Sequence, residues 1–438
     1  MRSYVFILFY GGLLTSALAQ PFVGALLWCW ISFMNPHRKV WGFATGLPYA
    51  MMVFIAMVFS CLMAREPKRF EANGVTIGLI VFALLITLSS ITAIGPPSEA
   101  WRLWERTIKS IVGALLVASL LTTRERIHAL VWLMAISVGF YGVKGGIFTI
   151  NTGGGFIVLG PDDSMIADRN HLAVGLLVAM PLMNYLRMQS KHRIIQLGMI
   201  GAMTLTLFAA IGSQSRGALV ALAATAGLLW WRGRNKFLGG IVMVVAILGV
   251  LSFMPESWVE RMNTITNYEA DESAMGRVKI WQASWLLAVN YPLTGTGFRA
   301  PYYQHIVDLV SEGVTARAVH SIYFEVVAEH GFPAFFVWLG LTLAGTFYAV
   351  QLTRLTRNRP DLTWASDLGR MIPVSVVAYL SGGLFLSLGY WDYYWMILIV
   401  AGSAHSLVLR ELAEAPVSRP GAVVDIRWRR DGAQGTLT

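Results

Sequence analysis

The sequence predicts an all-α protein that crosses a membrane many times. Of its 438 residues, 56% are hydrophobic and only 13% are charged, which is too apolar for a soluble globular fold. The apolar residues gather in runs, many of them close to the ~20 residues that a membrane helix needs. Basic residues cluster in alternate short connections between these runs, as membrane insertion favours. Together these observations predict a polytopic bundle of about twelve helices.

The first apolar run needs an interpretation of its own. Ala17-Leu18-Ala19 follows an apolar stretch and imitates a signal-peptide cleavage site. Apolar sequence resumes at Phe22, so we interpret the run as a span in which Gln20-Pro21 kinks one long helix. The predicted spans are residues 4–34, 42–63, 75–94, 107–121, 127–148, 171–186, 194–211, 216–231, 237–253, 334–353, 371–388 and 391–409.

Charge orients these spans. The positive-inside rule places the basic connections in the cytoplasm, together with both termini, and an even number of spans agrees. The longest polar segment, residues 254–333, is then external, and its nine acidic residues outnumber five Lys and Arg. We therefore divide the chain into N-terminal membrane helices (1–150), a second membrane region that includes the external loop (151–410), and a flexible cytoplasmic tail (411–438).

Composition argues against several kinds of site. Cys29 and Cys61 lie inside apolar runs, where a thiol behaves as a small hydrophobe, and no Cys/His cluster could hold a metal or redox pair. Asp162-Asp163 follows a glycine-rich stretch, but no third ligand is positioned by sequence. Because ligands are lacking, no metal is predicted as a partner. The basic residues behind the net charge of +10 are spread over short connections, so nucleic acid is not predicted as a partner either.

Two polar segments in the apolar chain could bind an anion. The turn Gly212-Ser213-Gln214-Ser215-Arg216 separates two apolar runs, and Arg216 opens the second run near the outer surface. A guanidinium at a helix N-terminus is a good anion site, although a hairpin turn with a snorkelling arginine is the alternative. Gly276-Arg277 begins a short amphipathic helix through Trp281, and a glycine-rich turn, Pro292 to Gly297, follows it.

The third segment contains a candidate base. His320 precedes Ser321-Ile322-Tyr323, and the segment continues through Glu325 and Glu329 to Gly331 at the edge of the next span. A histidine at a water-facing boundary between loop and helix can act as a general base, because its ordinary pKa is ~6.5. The alternative is a hydrogen-bonded structural histidine. The two glutamates could share its helical face and orient it, or could simply be solvated.

Taken in order, the Ser-x-Ser-Arg turn, the Arg-x-x-x-Trp helix with Pro-Leu-x-Gly-x-Gly, and the His-Ser-x-Tyr helix ending in Glu-x-Gly resemble the O-antigen ligase and polymerase superfamily. The resemblance covers roughly residues 165 to 390 and includes an Asp-x-Asn element at Asp168-Arg169-Asn170. Ser321 stands where many members have Asn. The first ~150 residues look like the N-terminal region of putative ligases associated with exopolysaccharide and exosortase systems.

The resemblance implies a fold like that of the C-class glycosyltransferases, in the bacterial inner (plasma) membrane, with its active site on the periplasmic face. It implies an inverting, metal-independent enzyme without a cofactor, whose donor is a glycan on undecaprenyl diphosphate and whose acceptor is the lipid A core. Arg216 and Arg277 would bind the donor diphosphate, and His320 would be the catalytic base. Possible supporting residues are Glu325, Glu329, Tyr323, Arg169 and Arg299.

Other functions remain open at this point. An O-antigen polymerase or a protein O-oligosaccharyltransferase would use the same chemistry on another hydroxyl acceptor. A lipid-linked glycan transporter is more remote, because it would need ionisable residues at mid-membrane and an internal repeat. The sequence shows few mid-span charges, Lys144 lying near a span end, and no obvious repeat. Membrane lipids are expected partners in every case.

Overall fold

The computed structural model describes residues 2–233, 235–256, 258 and 272–414. Within these residues the chain is helical and contains no strand. Part of the predicted external loop, residues 259–271, and most of the predicted tail, residues 415–438, lie outside the described residues. An all-helical protein is therefore confirmed over the described part of the chain.

The helices follow the predicted apolar runs. Eight of the described helices are long and apolar enough to cross a membrane, and a count of twelve spans stays a prediction. The helices are α1 Arg2–Ala19, α2 Pro21–Met34, α3 Tyr49–Met63, α4 Gly74–Ile91, α5 Pro97–Leu120, α6 Arg124–Asn151, α7 Arg169–Gln189, α8 Arg193–Gly212, α9 Arg216–Arg232, α10 Lys236–Phe253, α11 Glu272–Asn290, α12 Gln304–Val307, α13 Ile322–Leu355, α14 Thr363–Gly383 and α15 Asp392–Glu414.

The first predicted span is two antiparallel helices, so the prediction of one kinked helix is wrong. Gln20 has an extended backbone (φ −125°, ψ 100°), and Pro21 begins α2 directly after it. Proline is favoured at the first position of a helix because its missing N–H would have no partner there. The Phe6 ring of α1 and the Trp30 ring of α2 lie 6.1 Å apart, which requires the chain to reverse at Gln20.

This hairpin changes the topology. The Ser3 Oγ donates a hydrogen bond of 2.9 Å to the Trp41 carbonyl, which places the start of α1 beside the connection that leads into α3. At the other end of α3, Glu71 pairs with Arg410 of the last helix at 2.5 Å. The two ends of the described chain therefore lie at opposite ends of the bundle. The expectation that both termini are cytoplasmic counted the hairpin as one span, and it stays a prediction.

The centre and the periphery of the bundle differ in burial. Thirteen consecutive residues of α15, from Asp392 to Ala404, are buried, which is typical of a helix enclosed on all sides. Large apolar side chains of α10, such as Phe237 and Val245, are 80% and 63% exposed. An apolar outer surface of this kind suits contact with lipid tails rather than water.

Glycines bring α6 and α8 into close contact. A Cβ added to Gly146 would lie 2.1 Å from the Leu205 carbonyl oxygen, and one added to Gly142 would lie 2.2 Å from the Thr206 Oγ1. Small residues four apart on one helix face let two membrane helices approach closely. The Gly142–Gly146 face therefore fixes the position of α8, whose end leads to the turn before Arg216.

The variant Gly146→Ala should lose about 1–3 kcal/mol of stability, because its methyl group overlaps the backbone of α8. Gly201→Ala is the matched control, since a Cβ there meets no atom within 4 Å. Thermal unfolding of the purified variants in detergent, followed by size-exclusion chromatography, measures the difference. Equal unfolding temperatures for the two variants would contradict this packing.

Candidate active site

The three polar segments meet at one end of the bundle, where α7, α9 and α13 begin. The charges of Arg277, His171 and Arg317 oppose protonation of the His320 imidazole, and the charge of Asp168 favours it. These groups come from the start of α7, from α11 and from the segment before α13. The structure therefore gathers residues that are about 150 positions apart in the sequence around one histidine.

The backbone of His320 adopts the left-handed conformation, with φ 50°. Few residues other than glycine adopt it, and it recurs at functional sites where the surroundings hold it in place. The His320 N–H donates to the Ser387 Oγ at 3.0 Å. The Trp281 indole N–H donates to the Val319 carbonyl at 2.8 Å, which ties α11 to the same segment.

Burial and nearby positive charge keep His320 neutral. Loss of solvation is the larger cause, and the Arg277 guanidinium adds to it, so that the pKa of His320 falls to about 4. At neutral pH the imidazole therefore has a free lone pair. A neutral imidazole beside guanidinium groups can accept a proton while an anion occupies the arginines.

Asp168 and His171 form a pair on the first turn of α7. The Asp168 carboxylate accepts the Asn170 N–H at 2.8 Å and lies 3.2 Å from the His171 Nδ1. Burial opposes ionisation, but the hydrogen bonds from His171 and Asn170 outweigh it and hold the pKa of Asp168 below its usual range. The Asp-x-Asn element thus caps α7. Arg169 opens the same helix and is half-buried, while His171 was not predicted as a site residue.

The polar turn before α9 positions Arg216. Gln214 is left-handed (φ 55°), and the Ser215 Oγ accepts the Ala218 N–H at 3.2 Å, so Ser215 caps the helix that Arg216 begins. A Cβ on Gly217 would lie 3.2 Å from the Phe385 Cβ. The Phe385 ring in turn lies 6.2 Å from the Trp281 ring of α11. The helices that carry Arg216 and Arg277 therefore meet at the same connection.

Gly276 makes room for a further arginine. A Cβ at Gly276 would lie 1.8 Å from the Arg317 Nη1, so a larger residue there would displace that guanidinium. Arg317 lies beside Arg277 in this arrangement and also acts on His320. Arg317 was not predicted as a site residue, because a single arginine in a polar loop carries no sequence signal.

Glu325 supports His320 indirectly. Its side chain is only 6% exposed, so the interpretation as a solvated surface residue is wrong. The carboxylate accepts the Gly389 N–H at 3.0 Å and is hydrogen-bonded to Ser387, the residue whose hydroxyl accepts the His320 N–H. The connection between α14 and α15 therefore links the glutamate to the histidine.

Glu329 is also buried, at 1% exposure, and its partners differ from those of Glu325. One carboxylate oxygen accepts the Arg299 N–H at 2.8 Å, and the other accepts the Tyr390 hydroxyl at 2.8 Å. Glu329 thus holds the loop after α11 against the connection before α15. Surface solvation is wrong for this residue too.

The glycine-rich turn stabilises a break in α13. Gly331 has φ 74° and ψ 179°, and Pro333 has no N–H, so the carbonyls just before them lose their helical partners. The Gly297 N–H donates to the Glu329 carbonyl at 2.8 Å, and the Thr296 N–H donates to the Ala328 carbonyl at 3.0 Å. The Gly-Thr-Gly element therefore replaces the missing helical hydrogen bonds.

Part of the chain that includes this site matches a known protein family. Residues 201–339 match the family described as O-antigen ligase, and this range includes Arg216, Arg277 and His320. This match supports the O-antigen ligase superfamily for residues 201–339. Residues 1–191 match a family of unknown function, DUF5935. No curated protein matches the chain. The resemblance inferred from the three segments is therefore confirmed for the ligase region.

The remaining predicted site residues have partners other than His320. The Tyr323 hydroxyl donates to the Leu380 carbonyl at 2.9 Å, so this tyrosine joins α13 to α14. The Arg299 guanidinium lies 5.3 Å from the centre of the Tyr302 ring. Tyr302 is hydrogen-bonded to Ser387, a residue for which sequence reasoning predicted no role.

The lowered pKa of His320 can be measured by chemical modification. Diethyl pyrocarbonate reacts only with a neutral imidazole, so modification of His320 should reach half its maximum near pH 4, against ~6.5 for free N-acetylhistidine. In Arg277→Gln the midpoint should move to higher pH, because a positive charge that opposes protonation is gone. Peptide mass spectrometry measures modification of the His320 peptide, and a wild-type midpoint near 6.5 would contradict the burial of this site.

Proposed function

We propose that this chain is a bacterial inner-membrane O-antigen ligase. It transfers a polysaccharide from undecaprenyl diphosphate to a sugar hydroxyl of the lipid A core, and residues 151–410 carry the activity. The observation that supports this most strongly is the neutral His320, held in a left-handed conformation near Arg277, inside the region that matches the O-antigen ligase family.

The proposed site lies on the periplasmic face. The basic connections at the opposite end of the bundle, such as those around Arg126 and Arg193, favour a cytoplasmic location for that end. The C-terminal end of α15 is then cytoplasmic and the start of α1 is periplasmic. Lipid-linked glycan is available on this face, and ATP is not, so the energy for transfer comes from the diphosphate bond itself.

In this proposal the donor diphosphate binds to Arg216 and Arg277. As the bond between the anomeric carbon and the phosphate oxygen breaks, its electron pair passes to the diphosphate. Arginine presents a planar fork of donors that matches phosphate oxygens, and the N-terminus of α9 adds its dipole at Arg216. Fixed positive charge can thus stabilise the leaving group without a divalent ion.

His320 activates the acceptor. Its neutral imidazole accepts the proton of the acceptor hydroxyl while the hydroxyl oxygen forms a bond to the anomeric carbon. Attack from the face opposite the diphosphate inverts the configuration at that carbon. Ser387 and Glu325 hold the backbone of His320, and the charges of Asp168, His171 and Arg277 act on its imidazole.

His320→Ala should lower transfer by about 10²- to 10⁴-fold, the usual contribution of a positioned base. His305→Ala is the matched control, because His305 is exposed in the same external segment. Both variants are reconstituted with lipid-linked glycan and lipid A core, and the decorated acceptor is measured on gels. Full activity in His320→Ala, or an equal loss in His305→Ala, would rule out the proposed base.

The acceptor and the metal requirement are tested in one assay of the wild-type protein. With lipid-linked glycan, lipid A core and EDTA present, we expect glycan-decorated lipid A core. Lengthened lipid-linked glycan would instead indicate a polymerase, and glycan on a Ser/Thr-containing protein would indicate an O-oligosaccharyltransferase. Activity that returns only when EDTA is omitted would contradict metal independence, and no product with any acceptor would favour transport.

A further inference from the structure

A second group of cationic side chains lies at the same end of the bundle as His320. It comprises Arg38 before α3, Arg102 and Arg106 on α5, and Arg299 after α11, and we call it the arginine cluster. Arg102 and Arg106 are one helical turn apart and share a face of α5. The positive-inside rule disfavours arginine at the external end of a bundle, so this grouping needs a physical reason.

The members of the arginine cluster repel one another. The charges of Arg102, Arg299 and Arg38 all act against the charge of Arg106, and only the buried Asp392 attracts it. Arg102 pairs with Glu99 at 2.8 Å, and Arg38 pairs with Asp163 at 3.2 Å. In the part of the chain that the structure describes, neither Arg106 nor Arg299 forms an ion pair. Like charges held together in this way destabilise the protein unless a bound anion compensates them.

The arginine cluster is separate from the proposed diphosphate site. The charges that act on His320 are those of Arg277, Arg317, His171 and Asp168, and no member of the cluster is among them. One cation–π contact and two hydrogen bonds nevertheless join the two places. Arg299 lies over Tyr302, Tyr302 bonds to Ser387, and Ser387 accepts the His320 N–H.

Aromatic side chains indicate the membrane depth of the cluster. Trp101 and Trp104 flank Arg102 on α5, with ring centres 5.0 Å apart. Trp101 is 41% exposed, and the Trp104 indole N–H donates to the Thr87 Oγ1 at 2.8 Å. Tryptophans of this kind mark the interface between lipid tails and water. The arginine cluster therefore lies where the phosphates of lipid headgroups lie.

We propose that the arginine cluster binds the phosphate groups of the acceptor glycolipid. The proposal rests on the function proposed above, in which two lipid-borne substrates meet at one base. The donor diphosphate has its own arginines, Arg216 and Arg277, so the second cluster serves the second substrate. A phosphate held at headgroup depth by Arg106 and Arg299 anchors the acceptor while its sugar hydroxyl reaches His320.

Binding can be measured without any transfer reaction, by native mass spectrometry of the full-length protein in detergent. The probes are phosphorylated lipid A core, the same glycolipid after phosphatase treatment, phosphatidylglycerol and farnesyl diphosphate. Wild-type protein should retain the phosphorylated glycolipid at least tenfold better than the dephosphorylated one or phosphatidylglycerol. The double variant Arg106→Gln/Arg299→Gln should lose that preference and still retain farnesyl diphosphate.

Two further variants serve as controls for this binding measurement. Lys109→Gln changes a cation on the same helix that is paired with Glu105, and it should bind every probe like wild type. Arg277→Gln should show the opposite pattern to the double variant, losing farnesyl diphosphate and keeping the glycolipid. The proposal is overturned if the double variant keeps its glycolipid preference, if it loses farnesyl diphosphate instead, or if phosphatidylglycerol binds as well as the glycolipid.

Kinetics separate failure of this proposal from failure of the proposed function. With active protein, the double variant should raise the KM for lipid A core at least tenfold and leave the KM for the donor unchanged. An unchanged KM for lipid A core with active protein would overturn the acceptor site alone. Wild-type protein that transfers nothing would overturn the ligase, and the binding pattern would then decide whether the arginine cluster still recognises glycolipid phosphate.

Discussion

The break in α13 is the constraint on which the rest of the site depends. Pro333 removes a backbone N–H and Gly331 turns the chain, so the carbonyls of Ala328 and Glu329 need partners from outside the helix. The glycine-rich turn supplies those partners, and the same contact places Arg299 beside the Glu329 carboxylate. A helix interrupted at this point presents a short, polar first segment above a long, apolar second one.

Much of the site could be predicted because polar residues are rare in this chain. Arg216, Arg277 and His320 stand out against apolar neighbours, and the alternation of spans brings their loops to one end of the bundle. Ser387 and Tyr390 could not be predicted in the same way. They lie in connections without a motif, and only the folded backbone brings Ser387 to the His320 N–H.

The N-terminal hairpin shows where a hydropathy pattern stops being informative. The apolar run is continuous through Gln20-Pro21, so composition alone is the same for one bent helix and for two antiparallel ones. The difference is settled by contacts such as that of Phe6 with Trp30, which are tertiary. An error of this kind changes the number of helices counted at the start of the chain, although the other helices follow the predicted runs.

The burial of His320 has a consequence for the surroundings in which the protein can work. A periplasmic site experiences external acidity more directly than a cytoplasmic one. An ordinary histidine would be largely protonated in mildly acidic surroundings, whereas a pKa of about 4 leaves this imidazole unprotonated there. The same desolvation that makes the ring a weaker base at neutral pH thus extends to lower pH the range over which it can accept a proton.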